Sequence, residues 1–275
     1  MALFIRHLLR SLGQRLLSAA VALPVLGVVV WAGTLWVAVV TALAAIWGLR
    51  ELYPLFVAAG YRPIPWAGSL LAMGLLTVAA LNSGVLVLLV LGGGIGLLLA
   101  LALVRQGIRR GPGAWLTTVI GAVGLGLPLA MALLLRHRDD GMEWLLVGLF
   151  AVFATDTSAY AVGRLVGRRP MAPRISPGKT WEGAAGGFAG GVGATVGLVA
   201  LLGLPFVAWA TVALGAGIGV MAQVGDLGES RLKRLAGVKE AGALIPGHGG
   251  LLDRMDSLVL VFPLVYYVAT VWPAA

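Results

Sequence analysis

Four carboxylates near the end of the chain come in two pairs with the same spacing: Asp226 with Glu229, and Asp253 with Asp256. Side chains at i and i+3 share a helix face, so each pair can present two oxygens to one cation. Asp253 and Asp256 stand where a hydrophobic run begins, and the positive end of a helix dipole favours them there. Asp226 and Glu229 stand where a hydrophobic run ends. The dipole disfavours anions at that end, so these acids need another partner. Magnesium, bound by carboxylates together with substrate phosphates, is such a partner. Between the pairs lie Arg231, Lys233, Arg234 and Lys239, and the glycine-rich turn Pro246-Gly247-His248-Gly249-Gly250. Arg254 sits between the last two acids. The stretch 225–256 holds five of the eleven acidic residues and five of the twenty Lys/Arg. Carboxylates for a cation, bases for a polyphosphate and a glycine turn offering backbone N–H groups point to phosphate chemistry.

A second constellation lies upstream: Ser176-Pro177-Gly178-Lys179-Thr180-Trp181-Glu182-Gly183, preceded by Arg164, Arg168, Arg169 and Arg174. Pro177 and Gly178 break helix, which predicts a loop feeding a helix start. Hydroxyls, a lysine and free N–H groups at such a start suit a phosphate. The spacing is not that of a Walker A loop, and a basic loop that meets lipid headgroups is an equally weighted reading. Asp156, with Tyr160 four residues on, lies eight residues before Arg164, about 12 Å into an apolar span at 1.5 Å per residue. An Asp so placed costs about 2.5–3.5 kcal/mol on insertion scales, which favours a site role over a purely structural one.

These groups are embedded in a chain built for lipid. It is 60% hydrophobic and 11% charged, against about 25% charged in an ordinary soluble domain. Several apolar runs are long enough to cross a ~30 Å hydrocarbon core. The expected fold is an all-α polytopic integral membrane protein of about nine transmembrane helices. The spans fall near 17–32, 34–49, 65–82, 84–104, 114–135, 143–163, 183–203, 205–224 and 257–273. With the N-terminus cytoplasmic and the C-terminus outside, 18 of the 20 Lys/Arg fall on the cytoplasmic side, as the positive-inside rule requires. Both polar loops, 164–182 and 225–256, then face the cytoplasm. Residues 1–15 alternate apolar residues with Arg6, Arg10 and Arg15 and read as an interfacial amphipathic helix. The whole chain, 1–275, is expected to be one membrane-embedded domain. The seventh span repeats glycine from Gly183 to Gly197, which predicts close helix packing; room for a substrate beside it is the second reading.

Other chemistries fit poorly. There is no cysteine. The three histidines, His7, His137 and His248, lie on different loops, against a zinc hydrolase. No nucleophile elbow supports a Ser–His–Asp hydrolase. The net charge of +9 is spread over short loops, which argues for anionic headgroups and against nucleic acid.

The run Ser230-Arg231-Leu232-Lys233-Arg234, then Lys239-Glu240, then His248-Gly249-Gly250-Leu251-Leu252-Asp253-Arg254-Met255-Asp256 resembles the signature of phosphatidate cytidylyltransferases (CDP-diacylglycerol synthases). Ser176-Pro177-x-Lys179-Thr180-x-Glu182-Gly183, the Asp156/Tyr160 stretch, and Arg50-Glu51-Leu52 with Ala59-Gly60 and Pro63 are similar to the same family. One position departs from it: Glu240 stands where the family has Asp, and it therefore ranks below the other acids. The resemblance implies transfer of a cytidylyl group from CTP to phosphatidate, giving CDP-diacylglycerol and pyrophosphate, at a site facing the cytoplasm of a bacterial inner membrane. It implies Asp226, Asp253 and Asp256 as metal ligands, with Glu182 and Asp156 as helpers. Ser176, Lys179, Thr180 and Arg234 would hold phosphates, assisted by Lys233, Lys239, Gly249, Gly250, Arg254 and Tyr160. His248 would donate to a phosphate or orient a ligand. The implied cofactor is Mg2+, with a second metal such as K+ left open; the implied partners are CTP, phosphatidate, membrane lipids and a second copy in a homodimer. Another CTP-dependent lipid transferase, a polyprenol kinase and an ion-coupled transporter are the competing readings.

Overall fold

The computed structural model describes residues 24–205, 207–242 and 250–271. The amphipathic segment 1–15, the start of the first expected span, His248 and Gly249 lie outside them. Residues 24–31 are helical and run to Gly33. Eight helices follow: α1 Thr34–Ala58, α2 Pro65–Ala80, α3 Gly84–Arg136, α4 Gly141–Val166, α5 Trp181–Leu201, α6 Ala208–Leu235, α7 Leu252–Met255 and α8 Leu258–Val271. Between α4 and α5 a short antiparallel hairpin pairs β1 Pro170–Ala172 with β2 Ser176–Thr180. Among the described residues, six helical stretches are long and apolar enough to cross a membrane, the last of them joining α7 to α8 as Leu252–Val271; α2 is a shorter apolar helix. The protein is thus a polytopic helical membrane protein.

Three elements run past their expected ends, and each extension serves the site or its frame. Helix α1 continues beyond residue 49 to Ala58, through Pro54, and carries Glu51 into the interior. Helix α6 continues beyond residue 224 to Leu235, so the first part of the 225–256 loop is helical. Helix α3 is 53 residues long; an unbroken helix of that length would measure about 80 Å. Its backbone turns at Gly107, with φ 70 and ψ 174. There it folds back on itself: the Trp115 indole donates to the Ile95 carbonyl at 3.0 Å, and a Cβ on Gly111 would sit 3.1 Å from the Ala102 oxygen.

The bundle packs from α1 through α4 around Leu49, Leu75, Leu133 and Val147, all essentially fully buried. Tyr53, also buried, ties three helices together: its ring fills the space beside Gly68 and Gly121, and its hydroxyl donates to the Thr118 carbonyl at 3.0 Å. Interhelical side-chain hydrogen bonds in membrane bundles average about 0.6 kcal/mol. Tyr53→Phe is therefore expected to lower stability by about that amount, because the ring stays and only one bond is lost. Chemical denaturation in detergent checks it; an unchanged or raised stability would count against the bond. Helix α5 lies along α4, and at Gly187 a Cβ would come within 2.8 Å of Ala159 Cβ. Gly187 thus serves close packing, whereas Gly183 lines a cavity and a Cβ on Gly193 or Gly197 would meet nothing within 4 Å.

Candidate active site

The extension of α6 puts Asp226, Glu229 and Lys233 on one helical stripe at the end of the bundle. Gly225 sets how near that stripe comes to the rest. A Cβ there would fall 2.2 Å from the Asp256 carbonyl oxygen, so only glycine lets α6 approach the turn after α7. The result is a cluster of Asp226, Glu229 and Asp256, each offering a carboxylate oxygen within 4.8 Å of the others. Asp226 and Asp256 are partly buried and Glu229 is buried at 9% exposure. Three carboxylates this close together, away from bulk water, cannot all carry charge without a compensating cation. One oxygen of the group, Glu229 Oε1, is buried with no hydrogen-bond partner.

Lys233 compensates part of this charge. Its ammonium donates to Glu229 Oε2 at 3.1 Å and makes a short contact with Asp253 Oδ1. The other Asp253 oxygen accepts from the Gly250 N–H at 2.8 Å and the Ala241 N–H at 3.2 Å. Asp253 was expected to sit on the same face as Asp256 and to share a metal with it. Instead α7 is only four residues long, and Asp253 turns to Lys233 and the loop backbone while Asp256 joins Asp226 and Glu229.

The hairpin supplies the opposite wall. Residues 176–180, expected as a loop, form a strand whose register pairs Ala172 with Ser176 and Pro170 with Thr180. Thr180 caps α5, its Oγ1 accepting from the Gly183 N–H at 3.1 Å. Glu182 accepts from the N–H groups of Arg168 and Arg169 at 3.1 and 3.2 Å and so fixes the base of the hairpin; it lies apart from the carboxylate cluster. Lys179 reaches across from the strand, its Nζ 2.7 Å from Asp226 Oδ2, a charge contact without aligned hydrogen-bond geometry. This ion pair joins the two constellations read from the sequence.

Together these groups line one cavity of about 830 Å³. Asp156 and Tyr160 from α4, Ser176, Lys179 and Thr180 from the hairpin, and Asp226 and Lys233 from α6 all face it. Lys239, Asp253, Arg254 and Asp256 also lie on its wall, whereas Glu182 and Gly250 do not. Arg234 does not line it; its Nε donates to the Ile175 carbonyl at 3.1 Å and steadies the hairpin tip. Glu240 is exposed and also off the wall. His248 and Gly249 fall outside the described residues.

Two acids do more than the resemblance implies. Glu229, whose spacing from Asp226 suits a shared cation, is absent from the implied ligand set yet joins the cluster. Glu51 belongs to the resemblance with no role attached. It is buried at 9% exposure and accepts from the Leu251 N–H at 3.2 Å and the Leu252 N–H at 2.8 Å. The bonds span some 200 residues of chain and pin the start of α7, which carries Asp253 and leads into Asp256.

The model of the cytidylyltransferase family matches residues 13–272. The chain belongs to this family. Among curated relatives named phosphatidate cytidylyltransferase, one from Mycobacterium bovis is 38% identical to this chain over 170 residues, covering 59% of the chain and 54% of the relative. It is 41% identical to one from Brucella abortus over 145 residues, 52% and 53% of the two chains. A Bacillus subtilis relative is 39% identical over 152 residues, 54% and 56% of the two chains. The matches span about half the length of these relatives.

Proposed function

We propose that the protein transfers a cytidylyl group from CTP to phosphatidate, releasing pyrophosphate and forming CDP-diacylglycerol. The observation that carries this is the Lys179–Asp226 ion pair, which brings a strand bearing Ser176, Lys179 and Thr180 and an acidic cluster to one cavity at the end of a membrane bundle. Family membership and the names of the relatives support the same reading.

The reaction needs no protein nucleophile. A phosphate oxygen of phosphatidate attacks the α-phosphorus of CTP. The bond from that phosphorus to the oxygen bridging the β-phosphorus breaks, and pyrophosphate carries the electron pair away. Both reactants are anions, so the protein's task is to hold them together and in line. Asp226, Glu229 and Asp256 fit a divalent cation: their donors are all oxygen, they crowd within 4.8 Å, and Glu229 Oε1 is a buried acceptor awaiting a partner. Bound Mg2+ would neutralise phosphate charge and polarise the phosphoryl oxygens. Asp253 and Lys233 brace that group from the side. Ser176, Lys179 and Thr180 hold phosphate oxygens, with Lys239 and Arg254 on the same wall. Asp156 and Tyr160 form the α4 wall, where they orient the substrates. His248 and Gly249, beside Gly250, complete the phosphate contacts. A second cation such as K+ belongs to the same proposal.

The topology proposed for this reaction has nine crossings, with the N-terminus in the cytoplasm and the C-terminus outside. The helical residues 24–31, the shorter apolar helix α2, the two arms of α3 about Gly107 and the single passes of the five other long apolar stretches support that count. The site then opens to cytoplasmic CTP in a bacterial inner membrane, with the enzyme working as a homodimer.

The test is pyrophosphate release by purified protein given CTP. Release is expected only when phosphatidate and Mg2+ are both present. Release without lipid, or equal release with a polyprenol acceptor, would overturn the assignment.

A further inference from the structure

We propose a second phosphate site, separate from the cavity above, that binds the headgroup of an anionic phospholipid. It is a cleft of about 510 Å³ between the start of α2 and the bend of α3, lined by Arg62, Trp66, Arg105, Gln106 and Arg110 with the turn Pro63–Pro65. No acidic residue lines it, and among the described residues none of the three arginines makes an ion pair with a carboxylate.

The cleft is built by the backbone. Gly107 takes φ 70 and ψ 174, a conformation costly for any residue with a side chain. That turn puts Arg105 and Gln106 on one side of the bend and Arg110 on the other, all lining the same space. Arg105 lies over the Trp66 ring, 5.7 Å from its centroid, so the indole holds its guanidinium in place. The Gln106 amide is anchored as well: its Nε2 donates to the Arg62 carbonyl at 3.0 Å. The amide therefore cannot be turned around, and its Oε1 is left buried with no partner. Pro65 starts α2 at a cap that has no side-chain hydrogen bond, so the positive end of that helix adds to the field.

Topology alone explains basic residues on the cytoplasmic side. It does not explain three arginines converging on one cleft, while the adjacent Arg109, equally basic, stays off its wall. Guanidinium forks match phosphate oxygens, and basic pockets at the membrane edge take lipid headgroups. The orphan acceptor of Gln106 adds a requirement: the ligand must carry a donor beside its phosphate, such as a headgroup hydroxyl. Trp66, 52% exposed, places the cleft at the interface, where such a group is presented by lipid. Phosphatidylglycerol meets every condition, and phosphatidylcholine lacks both net charge and donor.

The probe is dioleoyl-phosphatidylglycerol titrated onto the full-length protein in detergent, read by native mass spectrometry. The variants are Arg62→Gln/Arg105→Gln/Arg110→Gln and, should the triple change reduce yield, the single exposed change Arg110→Glu. Lys179→Gln controls for lipid held in the other cavity. We expect the arginine variants to lose one bound phosphatidylglycerol, with affinity weakened by about tenfold or more. Lys179→Gln should keep that lipid, and phosphatidylcholine should bind weakly to all. Wild-type binding by the arginine variants would overturn the site. Competition by millimolar inorganic phosphate would overturn its assignment to a lipid and mark it as a soluble-anion site.

Discussion

Asp256→Asn should abolish phosphatidate-dependent pyrophosphate release, with a fall of about a hundredfold or more, comparable to removing one group that stabilises charge in a transition state. The reasoning starts from crowding. Asp226, Glu229 and Asp256 hold carboxylate oxygens within 4.8 Å of one another, and the protein alone neutralises only part of that charge, through Lys179 and Lys233. Asp256 accepts the Ser257 N–H at 2.7 Å, a bond that an asparagine oxygen can still accept, so the fold should survive. Two effects then move in opposite directions. Without Mg2+ the variant should be as stable as the parent or more so, because one of three crowded carboxylates is gone. With Mg2+ the parent should gain stability by linkage and the variant should gain little. Thermal unfolding with and without Mg2+ reads this beside the activity assay. Near-normal turnover at low Mg2+ would sink the proposed ligand set; equal Mg2+ stabilisation of both proteins would do the same without reference to activity.

The parts of this arrangement that the sequence reveals are those governed by local chemistry. Apolar runs give the crossings, because a membrane span must satisfy its own backbone. The i, i+3 acids, Lys179 and the hydroxyls of Ser176 and Thr180 were legible as phosphate chemistry, and the cavity brings them together. Boundaries were harder to read wherever a charge enters a helix. Arg50 and Glu51 look like the end of a span, yet α1 runs on to Ala58. Glu51 is tolerated inside because its partners, the N–H groups of Leu251 and Leu252, come from the far end of the chain. Hydropathy along the sequence cannot contain that information. The exchange between Asp253 and Glu229 has a similar cause. Spacing predicts which residues share an ideal helix face, but α7 has only four residues. The approach of α6 at Gly225, a tertiary contact, decides which acids meet. Proline and glycine in the 176–180 segment exclude helix and so predict a loop. They do not exclude a two-stranded hairpin whose ladder is only partly used.

Glu51→Gln is the sharpest test of that long-range connection. Both oxygens of the carboxylate are occupied, one by each N–H of the α7 start. A glutamine presents one oxygen and one NH2. Its nitrogen would face a backbone donor, leaving a buried N–H unsatisfied at a cost of about 1–3 kcal/mol. The loop 250–256 has little room to adjust around a larger intrusion: a Cβ on Gly250 would lie 2.4 Å from Glu51 Oε2, and one on Gly242 would lie 2.4 Å from Oε1. The strain should therefore be relieved by moving the start of α7, which displaces Asp253 from Lys233 and Asp256 from the acidic cluster. The expected result is a fall in kcat of about tenfold or more, a misplacement effect. A higher Mg2+ requirement should accompany it, with a smaller change in the KM for CTP. Gly250→Ala approaches the same contact from the other side and should give the same pattern. A purely structural Glu51 would instead lower yield and stability while leaving the Mg2+ titration of the folded fraction unchanged. That outcome would show that the carboxylate supports the bundle and does not set the geometry of the site.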